Sequence, residues 1–192
     1  MNLEQLRPIQ AELDNRIVEE HGLQNEYLLP NKTVALLTEL YETVNEARWF
    51  KFWSKNRKPK TKIEHLCPVC NATGQDPELD PYGCEDCEGT GKLGESIPLL
   101  EEFTDTVHFA LSIANDLELP AYEYTEPENN DLNILTIGLT NMITRLPVEK
   151  NIEQVLNYLI KLGYQLGFDE QQVIDEYYRK NEINHHRQEV GY

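Results

Sequence analysis

The stretch from about Pro98 to Leu117 constrains this chain most. Read as a helix, it is apolar nearly all round, with Leu99, Leu100, Phe103, Val107, Phe109, Leu111, Ile113 and Ala114 distributed over every side. A helix of that kind is a buried one, so other elements must surround it. Yet it carries Glu102 and Asp105, one turn apart and on the face of Phe109 and Ile113. Carboxylates in such a helix are either satisfied by Arg or Lys or gathered around a cation.

A second helix supplies acids to match. Leu36 to Trp53 reads LLTELYETVNEARWFKFW, and helical spacing puts Glu39, Glu42 and Glu46 on one arc, opposite Leu37, Leu40, Tyr41 and Val44. By spacing alone this is an amphipathic helix with either a solvated acidic face or a metal-binding one. Continued to Trp53, the same wheel brings Trp49, Phe50 and Trp53 to the acidic side. That predicts a covered side and a pocket edged by carboxylates. Oxygen-only ligands suit Mg2+, which keeps water and phosphate oxygens in its shell.

Two helices with E-x-x-[ED] resemble the signature of the all-α, MazG-like nucleoside triphosphate pyrophosphatases. Within that group the chain is most similar to the dimeric all-α dUTPases. The resembling residues are Thr38 to Glu42, Asn45-Glu46, Phe50 to Trp53, Glu101 to Asp105 with His108-Phe109, and the closing Lys180-Asn181, Asn184, Arg187-Gln188 and Gly191-Tyr192. One departure is plain: the interval from Glu42 to Glu102 is much longer than the family's usual spacer.

The resemblance implies an all-α helical bundle and hydrolysis of dUTP to dUMP and pyrophosphate. It implies Mg2+ held by the catalytic acids Glu39, Glu42, Glu102 and Asp105, with Glu46 outside them. It also implies a substrate site with Gln10 on the uracil and Lys51, Trp53, Lys180, Asn181, Asn184 and Arg187 around the nucleotide. Asp14 stands where the family often has Asn. A homodimer is a further implication. Two rivals remain open: a MazG-like pyrophosphatase of other nucleotide choice, and a non-enzymatic zinc adaptor.

The formal net charge of -17 argues against a nucleic-acid partner, because phosphate backbones need clustered Lys and Arg. No apolar run reaches the length of a membrane span, and MNLEQLRPIQ lacks the basic and apolar regions of a signal peptide. The expected location is cytoplasmic. All four cysteines fall between Cys67 and Cys87, which in an intracellular chain reads as a metal site before disulfides.

Those cysteines form two C-x-x-C pairs, each followed by glycine-bearing turns: CPVCNATG and CEDCEGTG. Cys67, Cys70, Cys84 and Cys87 fill a tetrahedral shell, which predicts a structural zinc; a redox or iron site is the alternative. The halves read as a degenerate repeat similar to the units of J-type co-chaperones, though the first lacks one glycine. Residues 58–97 thus form a zinc-knuckle insertion that accounts for the long spacer, inside a helical domain of residues 1–57 and 98–192.

The remaining pattern is helical. Leu3 to about His21 carries Leu6, Ile9, Leu13 and Ile17 on one stripe. Asn31 or Thr33 should cap the acidic helix, which should end near Ser54 before the basic run KNRKPKTK. Glu118 to Asn130 is an acidic loop. Leu132 to Leu146 should be stopped by Pro147, and Asn151 to Leu166 closed near Gly167. Asp169 with Gln172 makes a capping box for a last helix running toward Asn184. The tail from Lys180 on is either a frayed terminus or, as the resemblance implies, part of the nucleotide site.

Overall fold

In the computed structural model, residues 1–59, 62–75 and 83–191 are described. The chain divides into two compact units, Met1–Lys58 with Leu100–Tyr192, and Pro59–Leu99. Among the described residues the fold is all-α apart from one hairpin. The helices are α1 (Arg7–Glu20), α2 (Leu29–Ala47), α3 (Pro98–Asp116), α4 (Leu132–Glu149), α5 (Ile152–Gln165) and α6 (Glu170–Val190). None of them is long and apolar enough to cross a membrane.

Helix α3 is the axis of the larger unit. Phe103, Val107, Ala110, Leu111, Ile113 and Ala114 are fully buried, as its apolar pattern requires. Polar contacts tie it to its neighbours. Thr43 and Thr106 share a hydrogen bond of 2.9 Å between α2 and α3. Asn115 donates to the Arg7 carbonyl of α1 at 2.9 Å. Close packing joins α5, where a Cβ on Gly163 would stand 2.6 Å from Phe103. On α6, Arg179 pairs with Glu101 and Lys180 with Asp105. Helices α4 and α5 pack together, and α4 also lies against α2.

Three local expectations are corrected. Helix α2 ends at Ala47, not near Ser54, because Arg48 turns left-handed (φ 67°) while its N–H still bonds the Val44 carbonyl. The wheel therefore does not extend to Trp49, Phe50 and Trp53. Trp49 and Phe50 instead line a groove with Tyr41 and Val44, on the side opposite the acids. At the other end, α2 starts at Leu29 with Pro30 in its first turn, and Thr33 lies inside the helix, donating to the Leu29 carbonyl. Neither Asn31 nor Thr33 caps it. Pro147 does not stop α4, which runs to Glu149 before Lys150 turns left-handed. A proline this close to the end removes only one of the last helical bonds.

Helix α6 has the expected capping box, Asp169 with Gln172, and continues past Asn184 to Val190. The tail is a packed helix, with Tyr177 and Asn181 buried. Tyr192, part of the closing motif, lies outside the described residues.

In the smaller unit, β1 (Ile63–Leu66) pairs antiparallel with β2 (Lys92–Ser96), and the register shifts between His65 and Leu66. Lys62 with Glu95 and Lys92 with Glu64 pair across this stem. It closes the base of the cysteine loop. Residues 76–82, most of the polar linker between the two cysteine pairs, lie outside the described residues.

Candidate active site and metal centre

Glu39 on α2 and Glu102 and Asp105 on α3 can bring one carboxylate oxygen each within 4.8 Å of one another. The Thr43–Thr106 bond, one turn beyond Glu39 and Glu102 on their helices, fixes the two backbones that carry them. Glu42 is exposed and lies outside that tight trio, but its charge acts on both Glu39 and Glu102. Of the sequence-predicted acids, three thus converge and the fourth adjoins them.

Crowded, half-buried carboxylates resist ionisation. Burial, then the charges of Asp105, Glu42 and Glu102, raises Glu39 from 4.5 to about 7. Burial and then Glu42 and Asp105 do the same for Glu102, also to about 7. Burial also raises Asp105, although Lys180 and Arg187 act in the opposite direction. Lys180 bonds Asp105 at 2.5 Å. Two cations, Lys180 and Arg187, against four acids leave the group short of positive charge. Its all-oxygen donor set fits a hard divalent cation.

The acids open onto a cavity of about 340 Å³. Glu39 and Asp105 line it together with Gln10 and Asp14 of α1, His108 of α3, and Asn184 and Arg187 of α6. Gln10, Asn184 and Arg187 thus line one cavity with Glu39 and Asp105. Asn181 is buried beside them in sequence, and its Nδ2 has no hydrogen-bond partner among the described residues. Lys51 and Trp53 are not part of this cavity. Lys51 bonds Asn45 at 2.6 Å, and Trp53 is 66% exposed, edge-on to Phe50 and Phe52. Both sit in the turns after the early end of α2, so the structure does not bring them to the acids.

Sequence reading did not foresee the hydrogen-bonded polar wall that shares this cavity with the acids. Gln10 accepts at Oε1 from the Tyr177 hydroxyl (2.6 Å) and faces His108 Nδ1 (2.8 Å), while its Nε2 donates to Asp14 (2.7 Å). Ser112 donates to Asp14 at 2.6 Å, and Lys32 lies 3.5 Å from it. The His108 and Tyr177 rings stack at 3.9 Å. Burial, then Lys180, pushes His108 down to about 3, so its imidazole is neutral. A signal was present: Gln10 and Asp14 are four residues apart on one helix face, and His108 is three beyond Asp105.

The cysteine centre lies within the smaller unit. All four Sγ atoms lie within 4.8 Å of one another, with Cys67–Cys84 at 3.8 Å and Cys70–Cys87 at 3.7 Å. A tetrahedron with Zn–S arms of about 2.3 Å has edges of roughly 3.8 Å, so the spacing fits zinc. The repeat is real in three dimensions. Gly74 N–H donates to Cys70 Sγ at 3.3 Å and Gly91 N–H to Cys87 Sγ at 3.2 Å. Cys84 N–H bonds the Gly74 carbonyl and Cys67 N–H the Gly91 carbonyl, so each knuckle closes on the other. The missing glycine is Ala72, which adopts φ 63° where Gly89 has φ 76°.

A family model described as dUTPase matches residues 2–66 and 92–192. The chain belongs to the all-α dUTPase family. What the match leaves out, residues 67–91, contains all four cysteines. Among curated proteins no match is found. Family membership makes the protein a dUTP diphosphatase, an enzyme acting on a nucleotide.

Proposed function

We propose that the protein hydrolyses dUTP to dUMP and pyrophosphate with Mg2+ held by Glu39, Glu102 and Asp105, and with Glu42 beside them. The observation that supports this is one cavity lined both by the acids Glu39 and Asp105 and by a Gln10–Asp14 amide–carboxylate pair. Such a cavity has a phosphate end and a base end. When bound, Mg2+ would neutralise phosphate oxygens and acidify a water. The protein groups do the rest. Lys180 and Arg187 on α6 bring positive charge to the acid end, where it opposes the charge of the triphosphate. One carboxylate, Glu39 or Glu42, takes the proton of an attacking water. Asn181 and Asn184 offer amides to the nucleotide.

Four thiolates around zinc leave no open coordination position, so Cys67, Cys70, Cys84 and Cys87 hold a structural ion. Four thiols kept as metal ligands suit a reducing, cytoplasmic location. A homodimer belongs to the same proposal. Tyr41, Ile134 and Ile137 on α2 and α4 are exposed, and burying such a face against a second copy is favourable. Light scattering should give twice the chain mass, and a monomer at every concentration refutes that part.

The test of activity is a panel of nucleoside triphosphates with and without Mg2+, with products identified. Release of dUMP and pyrophosphate only with the metal is expected. Preference for another base would favour the broader pyrophosphatase reading. No turnover of any nucleotide would refute the enzyme.

A further inference from the structure

The polar wall of the cavity has a fixed polarity. Asp14 accepts from Gln10 Nε2 and from the Ser112 hydroxyl, so the amino end of the Gln10 amide faces it. That sets Oε1 toward Tyr177 and His108. An amide oxygen only accepts, so the Tyr177 hydroxyl must donate, and His108 must carry its proton on Nδ1. Two donors occupy the two lone pairs of Oε1. What Gln10 retains for a ligand is one N–H, beside the carboxylate of Asp14. Ser112 and Lys32 anchor Asp14 from behind. The His108–Tyr177 stack, with Tyr177 fully buried, holds both donors in place. His108 Nε2 is buried with no partner among the described residues, a cost that packing alone does not require.

We propose that His108 and Tyr177 are positioning residues that lock the Gln10 carboxamide as a hydrogen-bond donor, so that Gln10 and Asp14 together read a base carbonyl and its neighbouring imide N–H. This rests on the nucleotide reading of the cavity. Uracil presents a carbonyl next to an N–H. Cytosine presents an amino group and an unprotonated ring nitrogen at the same positions, so donor meets donor and lone pair meets carboxylate. A site whose buried polar groups are held in one sense rejects the reversed pattern strongly. The amide is held from both ends, by Asp14 at Nε2 and by Tyr177 and His108 at Oε1, so it cannot turn to suit either base, and this set of contacts rather than Gln10 by itself carries the discrimination.

The experiment compares kcat and KM for dUTP and dCTP in the full-length, zinc- and Mg2+-loaded enzyme and its variants. Tyr177→Phe keeps the ring and the stack but removes one donor. His108→Leu removes the other donor, and His108→Asn restores an N–H at the position of Nδ1. For Tyr177→Phe and His108→Leu we expect the dUTP/dCTP ratio of kcat/KM to fall about tenfold, through a raised KM for dUTP with kcat little changed. His108→Asn should recover most of the ratio. An unchanged ratio in folded Tyr177→Phe or His108→Leu overturns the proposal, as does a fall in kcat alone. Failure of His108→Asn to recover selectivity while folded also counts against it. If Tyr177→Phe does not fold, the two His108 variants decide. A wild-type enzyme that turns over no nucleotide would refute the functional reading itself and is recognised before any variant is made.

Discussion

The thiol tetrad and the carboxylate cluster are built on opposite plans. The tetrad draws all its ligands from two short loops of the same sequence pattern, and backbone N–H groups of Gly74 and Gly91 point at the sulfurs. Its four sulfurs are buried and mutually complete. The acids come from helices 63 residues apart in the chain (Glu39 to Glu102), are only half-buried, and open onto a cavity. One site is closed and local, the other open and assembled. A closed shell suits stability, and an open one leaves room for substrate.

The largest expected effect falls on the open site. Glu102→Gln and Glu39→Gln each remove a charge without creating a cavity, and each should lower turnover on the order of 10²-fold or more with helicity unchanged. Near-normal activity in either would break the idea of a shared cluster. The closed site should respond differently. Cys70→Ser should abolish zinc binding and loosen the cysteine loop, since metal binding of roughly 10–16 kcal/mol orders sites of this kind. Circular dichroism should show α1 to α6 still helical, and Mg2+ dependence should persist with partial loss of activity. Metal analysis and turnover on one sample read both; collapse of the helices would contradict the division into two units.

The legibility of the two sites differs for the same reason as their construction. The ligand set of the tetrad follows from neighbouring residues, and even its weak point, Ala72, was visible as a missing glycine. The buried character of α3 was equally plain, because apolar residues on every face allow no other environment. The capping box at Asp169 was legible as a local reciprocal pair. The end of α2 was not: nothing in Ala47-Arg48-Trp49 breaks a helix, yet Arg48 turns left-handed and the Trp49 indole that follows donates to Asn133 of α4, a contact between distant parts of the chain. That turn carried Lys51 and Trp53 away from the acids. The Gln10–Asp14–His108–Tyr177 wall joins three helices, α1, α3 and α6, and such contacts are set by packing rather than by spacing.

pH sharpens the comparison further. Glu39 and Glu102 have folded-state values raised from 4.5 to about 7. Groups raised in this sense favour the fold fully below the unfolded value, and that contribution is lost as pH rises through the folded value. The Mg2+-free protein should therefore melt at a lower temperature near pH 8 than near pH 5.5, by about a few degrees. Saturating Mg2+ should reduce the difference, because the cation replaces the protons. A melting temperature that rises over this range without Mg2+ would mean the acids are not crowded in solution.

The smallest effects belong to the glycine positions of the knuckles. Ala72→Gly should stabilise the loop by up to about 1 kcal/mol, because a left-handed backbone is costly for alanine and free for glycine. Gly91→Ala should do the reverse and more, since its Cβ would stand 2.4 Å from the Ala72 carbonyl oxygen. Gly89→Ala meets only ordinary contact, at 3.7 Å from the Gly74 oxygen, and should cost less than Gly91→Ala. Zinc retention during titration with a chelator ranks the three.

The most direct test of the central claim is a crystal structure with Mg2+ and a non-hydrolysable α,β-imido analogue of dUTP. The account predicts Mg2+ bound by Glu39, Glu102 and Asp105, with the phosphates on it and the uracil against Gln10 and Asp14. Phosphates bound away from these acids, or Mg2+ held by other residues, would contradict it.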